Sequence, residues 1–182
     1  KDLPLHEKST AAVRLAEAWV HEGKFTDALD LLGQSFATSH PEATFWKGQA
    51  LAGLGRIGEA VAALAPLLDN PAAPHREETI LTLANLELAL DHPDEALSKL
   101  SSLVIPGDPA RSSKALLLQV EILLDLGKTA EARAVMPAVS SISPRDQPFA
   151  TFLEAHLLLE EGRAADAASS FQTLVDQPQG QS

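Results

Sequence analysis

The residues most suggestive of chemistry are Gly53-Leu54-Gly55-Arg56-Ile57-Gly58, which have the G-x-G-x-x-G spacing of a dinucleotide-binding loop. That chemistry needs a strand before the glycines, so that a pyrophosphate meets a helix N-terminus at a sheet edge. The stretch from Trp46 to Leu54 has helical periodicity instead, which argues against a nucleotide site. Six histidines stand at positions 6, 21, 40, 75, 92 and 156, none in an H-E-x-x-H pattern. His156 and Glu160 are four residues apart on one helical face and could offer two metal ligands. No third ligand is apparent, so a solvated pair is expected there. His40 and His92 each precede a proline at a helix boundary, where local capping accounts for them. The adjacent acids Glu77-Glu78 and Glu160-Glu161 face different directions on a helix and cannot converge as a general acid and base. No serine has a nucleophile-elbow context. The chain has no Cys, which excludes disulfides, zinc thiolate sites and a cysteine nucleophile. No catalytic residue, metal site or cofactor is expected, and the chain is read as not an enzyme.

Composition narrows the partners. The 182 residues are 45% hydrophobic and 21% charged, a globular balance. The 25 acids against 14 bases give a formal charge of -11, and aromatics are only 4% with no Tyr. Such a surface repels phosphate backbones and has few platforms for stacked bases, so no nucleic-acid partner is expected. Anionic membrane surfaces are disfavoured for the same reason, and no apolar run is long enough to insert as a helical span. The chain begins at Lys1 without a Met, and we expect it to be a piece of something longer. Localisation stays open between cytoplasm and periplasm, since a Cys-free chain suits either.

The elements that carry these residues repeat. Gly23-Lys24-Phe25-Thr26-Asp27-Ala28, Gly55-Arg56-Ile57-Gly58-Glu59-Ala60, Asp91-His92-Pro93-Asp94-Glu95-Ala96, Gly127-Lys128-Thr129-Ala130-Glu131-Ala132 and Gly162-Arg163-Ala164-Ala165-Asp166-Ala167 resemble one another. Their closing alanines are 32, 36, 36 and 35 residues apart, a near-constant period that marks a repeat architecture. Helical periodicity flanks each segment. A turn glycine ends one helix and an acid in the next first turn suits the helix dipole. Prolines separate the units, with Ser39-His40-Pro41-Glu42 at capping-box spacing. The periodicity predicts helices near 9–22, 25–36, 41–54, 57–68, 76–90, 94–103, 110–126, 129–138, 146–161 and 164–175. Pro66 and Pro137 fall inside two of these, where a kink or early stop is expected.

Twelve residues before the closing alanines stand Ala16, Gly48, Ala84, Val120 and Ala155. Small residues at these paired positions resemble the tetratricopeptide repeat family over roughly Ser9 to Val175. Glu87 departs from that pattern where the family favours a large aromatic, and the third unit has Asp91 in place of the turn glycine. The resemblance implies an all-α, right-handed superhelical solenoid of antiparallel helix pairs. A single array over 1–182 is expected, with units near 9–40, 41–75, 76–108, 109–145 and 146–178. Residues 177–182 read as a tail or linker.

In that family the first helix of each pair lines a concave groove that holds a ligand, which implies a protein or peptide partner. Carried over by register, the first two units contribute Val13, Glu17, Glu42, Phe45 and Gln49, and the third Glu78, Leu81 and Asn85. The fourth contributes Lys114, Leu117 and Glu121, and the fifth Phe149, Phe152 and His156. Acids alternate here with apolar anchors (Phe45, Leu81, Leu117, Phe152), so the expected partner is neutral to basic. Family members that clamp acidic tails use Lys or Arg where this chain has Val13 and Phe45, which disfavours that ligand. The reading is a non-enzymatic interaction scaffold, bacterial in the Ala/Leu-rich style of its repeats. The alternative is an accessory or regulatory domain of a larger enzyme or transcription regulator. The first helix is apolar around most of its girth, and we expect further repeats, a partner or a second copy to cover it.

Overall fold

The computed structural model describes residues 3–176, which form α-helices and short 3-10 turns with no strand among them. In chain order the helices are α1 (Leu5–His21), α2 (Phe25–Leu32), α3 (Ala43–Gly53), α4 (Ile57–Leu64), α5 (Arg76–Ala89), α6 (Pro93–Ser101), α7 (Ser113–Asp125), α8 (Thr129–Val135), α9 (Gln147–Glu160) and α10 (Ala164–Val175). None is long and apolar enough to cross a membrane. The expected tail at 177–182 lies outside the described residues.

Every helix pair closes in the same way. The residue after each turn donates its backbone N–H to the carbonyl five residues back: Lys24 to Trp19 (2.8 Å), Arg56 to Leu51 (3.0 Å), His92 to Glu87 (2.9 Å), Lys128 to Leu123 (2.8 Å) and Arg163 to Leu158 (2.8 Å). This is the six-to-one bond of a Schellman closure, which requires a left-handed residue between the helices. Gly23 supplies it at φ 76°, and Asp91, without a glycine's freedom, takes the same conformation at φ 63°. The five closing alanines are fully buried, as are Ala16, Ala84, Val120 and Ala155. Gly48 is also buried, and an added Cβ there would lie 2.4 Å from Leu64 Cγ. These small residues let the two helices of a pair approach.

Several helix ends depart from the periodicity. Helix α4 stops at Leu64 and passes into a 3-10 turn over Ala65–Asp69, because Pro66 lacks an N–H and its ring clashes with the preceding turn. Helix α8 stops at Val135, and Met136 turns extended ahead of Pro137. Helix α2 ends at Leu32 instead of 36, with Gly33 as its cap. Helix α1 begins at Leu5, directly after Pro4, and α7 only at Ser113. The capping box expected at Ser39 and Glu42 does not form. His40 Nδ1 accepts the Glu42 N–H at 3.2 Å, and α3 starts at Ala43.

Two compact units divide the chain, Lys1–Lys99 and Leu100–Ser182. In the first, α1 packs on α2 and α3 on α4, while α3 also packs on α1 and α5. Val13, Ala16, Leu32, Trp46, Leu51, Leu64 and Leu83 form its core. Each fully buried leucine contributes roughly 1.5–3 kcal/mol. Glu87, nearly buried in α5, is held by Lys99 Nζ at 3.0 Å and His92 Nδ1 at 3.2 Å. In the second unit α7 packs on α8, α9 on α10, and α7 on α9, around Leu117, Val120, Leu153 and Leu157. Arg133 of α8 reaches α9 through Nη1 to both Glu154 oxygens (2.7 and 2.8 Å) and its C-cap residue Glu161 through Nε and Nη2 (2.7 and 3.0 Å). Apolar side chains remain on the outer helices. Leu15 with Ala11 and Ala18 is exposed on α1, and Ala167 is the one fully buried residue of α10.

Candidate partner-binding clefts

In the first unit, the first helices of successive pairs frame an open cleft of about 510 Å³. Helix α1 contributes Glu17, Val20 and His21, and α3 contributes Phe45, Trp46 and Gln49. From α5 come Glu78, Leu81, Thr82 and Asn85, with His75 just ahead of it. The i, i+3, i+4 spacing along each helix puts these side chains on one face. Six residues expected from register, Glu17, Phe45, Gln49, Glu78, Leu81 and Asn85, are thus brought together.

Their roles differ from the expectation in one respect. Phe45 is 3% exposed and Val13 fully buried, so Phe45 is not the protruding anchor that register suggested and Val13 does not line the cleft. Phe45 is a floor, stacked on His75 with ring centroids 4.3 Å apart and planes 10° from parallel. Trp46 meets Phe45, His21 and His75 edge-on at 4.9, 5.5 and 5.5 Å. Its indole Nε1 is buried without a hydrogen-bond partner. The accessible apolar side chains are Val20 and Leu81, both half-buried. Gln49 Nε2 donates to Thr82 Oγ1 at 2.8 Å, tying α3 to α5 across the cleft.

Glu42 serves the wall of the cleft and is not among the residues that line it. Its carboxylate accepts two bonds from Arg14 (3.0 and 3.1 Å) and lies 3.2 Å from His75 Nε2. Burial alone would raise the Glu42 carboxyl, but hydrogen bonds and charge from His75 and Arg14 outweigh it and hold the group below its ordinary value. Arg14 also donates to Glu17 at 2.8 Å, so the cation nearest the cleft is already committed. His75 sits at φ 58°, a left-handed backbone uncommon for a non-glycine residue, just after Pro74 and just before α5. The carbonyl of His75 accepts both the Thr79 N–H and the Thr79 hydroxyl at 2.8 Å. Helical periodicity could not reveal His75, because it lies outside any helix; Pro74 before it was the available signal.

A smaller notch of about 120 Å³ lies in the second unit, lined by Glu121, Leu124 and Asp125 of α7 and by Phe152, Leu153 and His156 of α9. Of the residues expected here, it brings together Glu121, Phe152 and His156. Leu117 is 2% exposed and belongs to the core. Lys114 is exposed at the start of α7, outside the notch. Phe149 stands beside it, exposed, with its ring 6.4 Å from that of Phe152 and parallel within 10°. A third depression of about 490 Å³, which sequence did not suggest, is lined by Leu5, His6, Ser9 and Thr10 with Ser39, His40 and Pro41.

The glycine-rich segment is a helix closure. Gly55 and Arg56 spend their N–H groups on the Ala52 and Leu51 carbonyls (2.9 and 3.0 Å), which leaves those amides unable to cradle a phosphate. Among the described residues, no three His, Asp or Glu side chains gather at metal-binding spacing.

A tetratricopeptide repeat family profile matches residues 13–75, and a second tetratricopeptide repeat profile matches residues 114–136. No curated protein matches the chain in sequence. The fold resembles the crystal structure of a thermophilic TPR protein from Thermus thermophilus, with a TM-score of 0.59 at 20% identity over 93% of this chain and 91% of that one. With the same closure repeated five times, small residues buried in each pair and a profile match in both units, the chain is a tetratricopeptide repeat protein.

Proposed function

We propose that this chain is a non-enzymatic interaction module that holds a protein or peptide partner against the first helices of its pairs. Proteins of the family are in general scaffolds that bind proteins or peptides. The observation that carries the reading is the 510 Å³ cleft of the first unit, framed by α1, α3 and α5. Its lining combines apolar surface from Val20 and Leu81, the amides Gln49 and Asn85, and the carboxylates Glu17 and Glu78, with no Lys or Arg. Ligand sites of this kind pair apolar contact area with a few polar groups that fix orientation. The partner that suits it is extended or helical, apolar in part, and neutral to basic. The acidic balance of the whole chain favours such a partner by long-range attraction.

A selection from a random dodecapeptide library on the immobilised chain tests this. Basic sequences with at least one large apolar residue should be enriched. The Leu81→Glu, Asn85→Arg variant should bind the enriched pool at least tenfold more weakly. Both positions have exposed side-chain surface, so the fold should survive, and circular dichroism would check it. Enrichment of acidic peptides, or equal binding to the variant, would overturn the reading.

A further inference from the structure

The second unit carries an aromatic surface that none of its own helices covers. Phe149 and Phe152, three residues apart on α9, are 41% and 46% exposed and lie parallel. Phe171 of α10 meets Phe152 edge-on at 5.9 Å and His156 lies 6.3 Å from it, so the Phe152 ring is held in place from two sides. A fixed, exposed ring face loses little conformational freedom when something settles on it, a property shared by the rigid aromatic anchors of binding surfaces.

Charge decides what settles there. The notch beside Phe152 is walled by Glu121 and Asp125, four residues apart in the last turn of α7. That turn has no basic residue. Two carboxylates therefore stand at the negative end of a helix dipole, which disfavours both. Burial first, and the Asp125 charge second, raise the Glu121 carboxyl above its ordinary value. This local arrangement gains from an incoming cation. At about 120 Å³ the notch takes one side-chain head group.

We infer that the second unit binds an arginine of a partner chain, its guanidinium seated between Glu121 and Asp125 and over the ring of Phe152, with a neighbouring apolar residue covering Phe149. Arginine suits the geometry better than lysine, because its planar fork meets carboxylates at two points while its face stacks on an aromatic ring. The inference rests on the reading of the chain as a binding module, but it concerns residues of the second unit alone.

The test is a titration of the full chain, labelled with nitrogen-15, with the acetylated and amidated pentapeptide Ala-Phe-Arg-Leu-Ala. A second peptide carries citrulline, neutral and nearly isosteric, in place of arginine. The arginine peptide should shift α7 and α9 amides saturably and bind at least fivefold more tightly than the citrulline peptide. Glu121→Gln with Asp125→Asn should erase that difference. Phe152→Leu, which keeps apolar bulk but removes the ring, should weaken the arginine peptide severalfold at these amides, while Leu81→Glu in the first unit should leave the α7 and α9 shifts unchanged. Equal binding of the two peptides, or shifts confined to other helices, would overturn the inference. Loss of library binding in the first unit with these results intact would sink the cleft reading and spare this one.

Discussion

Gly48→Ala is the sharpest probe of how the helix pairs are built. Three of the equivalent positions hold alanine, Ala16, Ala84 and Ala155, so sequence similarity alone says that alanine should fit. Helix propensity says the same, favouring it over glycine by about 1 kcal/mol. The structure says otherwise. The new Cβ would stand 2.4 Å from both Leu64 Cγ and Cδ2, where carbon atoms in contact prefer roughly 3.5–4.0 Å. Leu64 is fully buried at the end of α4, so it has no route to solvent, and α3 and α4 must part or Leu64 must leave its rotamer. Overpacking of this kind costs about 1–3 kcal/mol. Set against the propensity gain, the net expectation is a loss of up to about 2 kcal/mol, or several degrees in midpoint for a unit of this size. Gly53→Ala is the internal control. Its Cβ would meet the ring of Phe25, with Cε1 and Cζ at 2.4 Å and Cδ1 at 2.7 Å, and that half-buried ring can swing, so little or no loss is expected. Urea and thermal melts of both variants would be compared, together with Leu64→Val alone and combined with Gly48→Ala. The valine should recover part of the loss, giving a coupling above about 0.5 kcal/mol. A Gly48→Ala chain that melts above the wild type, or shows no coupling to Leu64, would refute the packing argument.

Asp91→Gly should stabilise the first unit by up to about 1 kcal/mol, since Asp91 holds a left-handed backbone at φ 63° that costs a non-glycine residue roughly 1–2 kcal/mol; a denaturant midpoint checks this. Glu42→Gln should destabilise the chain near neutral pH, with the difference vanishing in acid. The folded Glu42 carboxyl lies below its ordinary 4.5, so its contribution is present above that value and is lost as pH falls through the depressed one. Stability curves for wild type and variant should converge as pH drops through that window. Glu121→Gln should act in the opposite sense. Because the folded carboxyl lies above its ordinary value, ionising it opposes folding, and the variant should melt higher than the wild type at pH 7 and lose that advantage below about pH 4.

The repeat was legible because its determinants are local and periodic. The spacing of the closing alanines, the paired small residues and the prolines at 66 and 137 set the pairs and their ends. Asp91 was visible as a departure, and the structure shows it in the glycine's conformation. The clefts were legible only as helix faces. Helix α3, for example, packs on its partner α4 and on α1 and α5, so several of its sides carry apolar residues. Periodicity cannot say which of these a neighbour will cover. Val13, Phe45 and Leu117 have groove register yet are buried. Leu81, at the equivalent place in the next pair after Phe45, stays partly exposed. His75 was beyond reach because a backbone angle in a loop, not a helical period, places it. The ties of Arg14 to Glu42 and Arg133 to Glu161 each span 28 residues, a separation at which no pattern in the chain announces a contact.

The closure between paired helices is made by main-chain atoms, one amide to one carbonyl, at all five turns. Side chains add local ties at some turns, as His92 does to Glu87, but the joint shared by all five is main chain. A stretch of about 35 residues can therefore be copied, lost or exchanged in a gene without redesigning its junctions, provided the small residues inside each pair travel with it. Selection is left free to rewrite the outward faces one at a time. A lineage of such chains should accordingly drift fastest in what its members hold and slowest in how they are hinged.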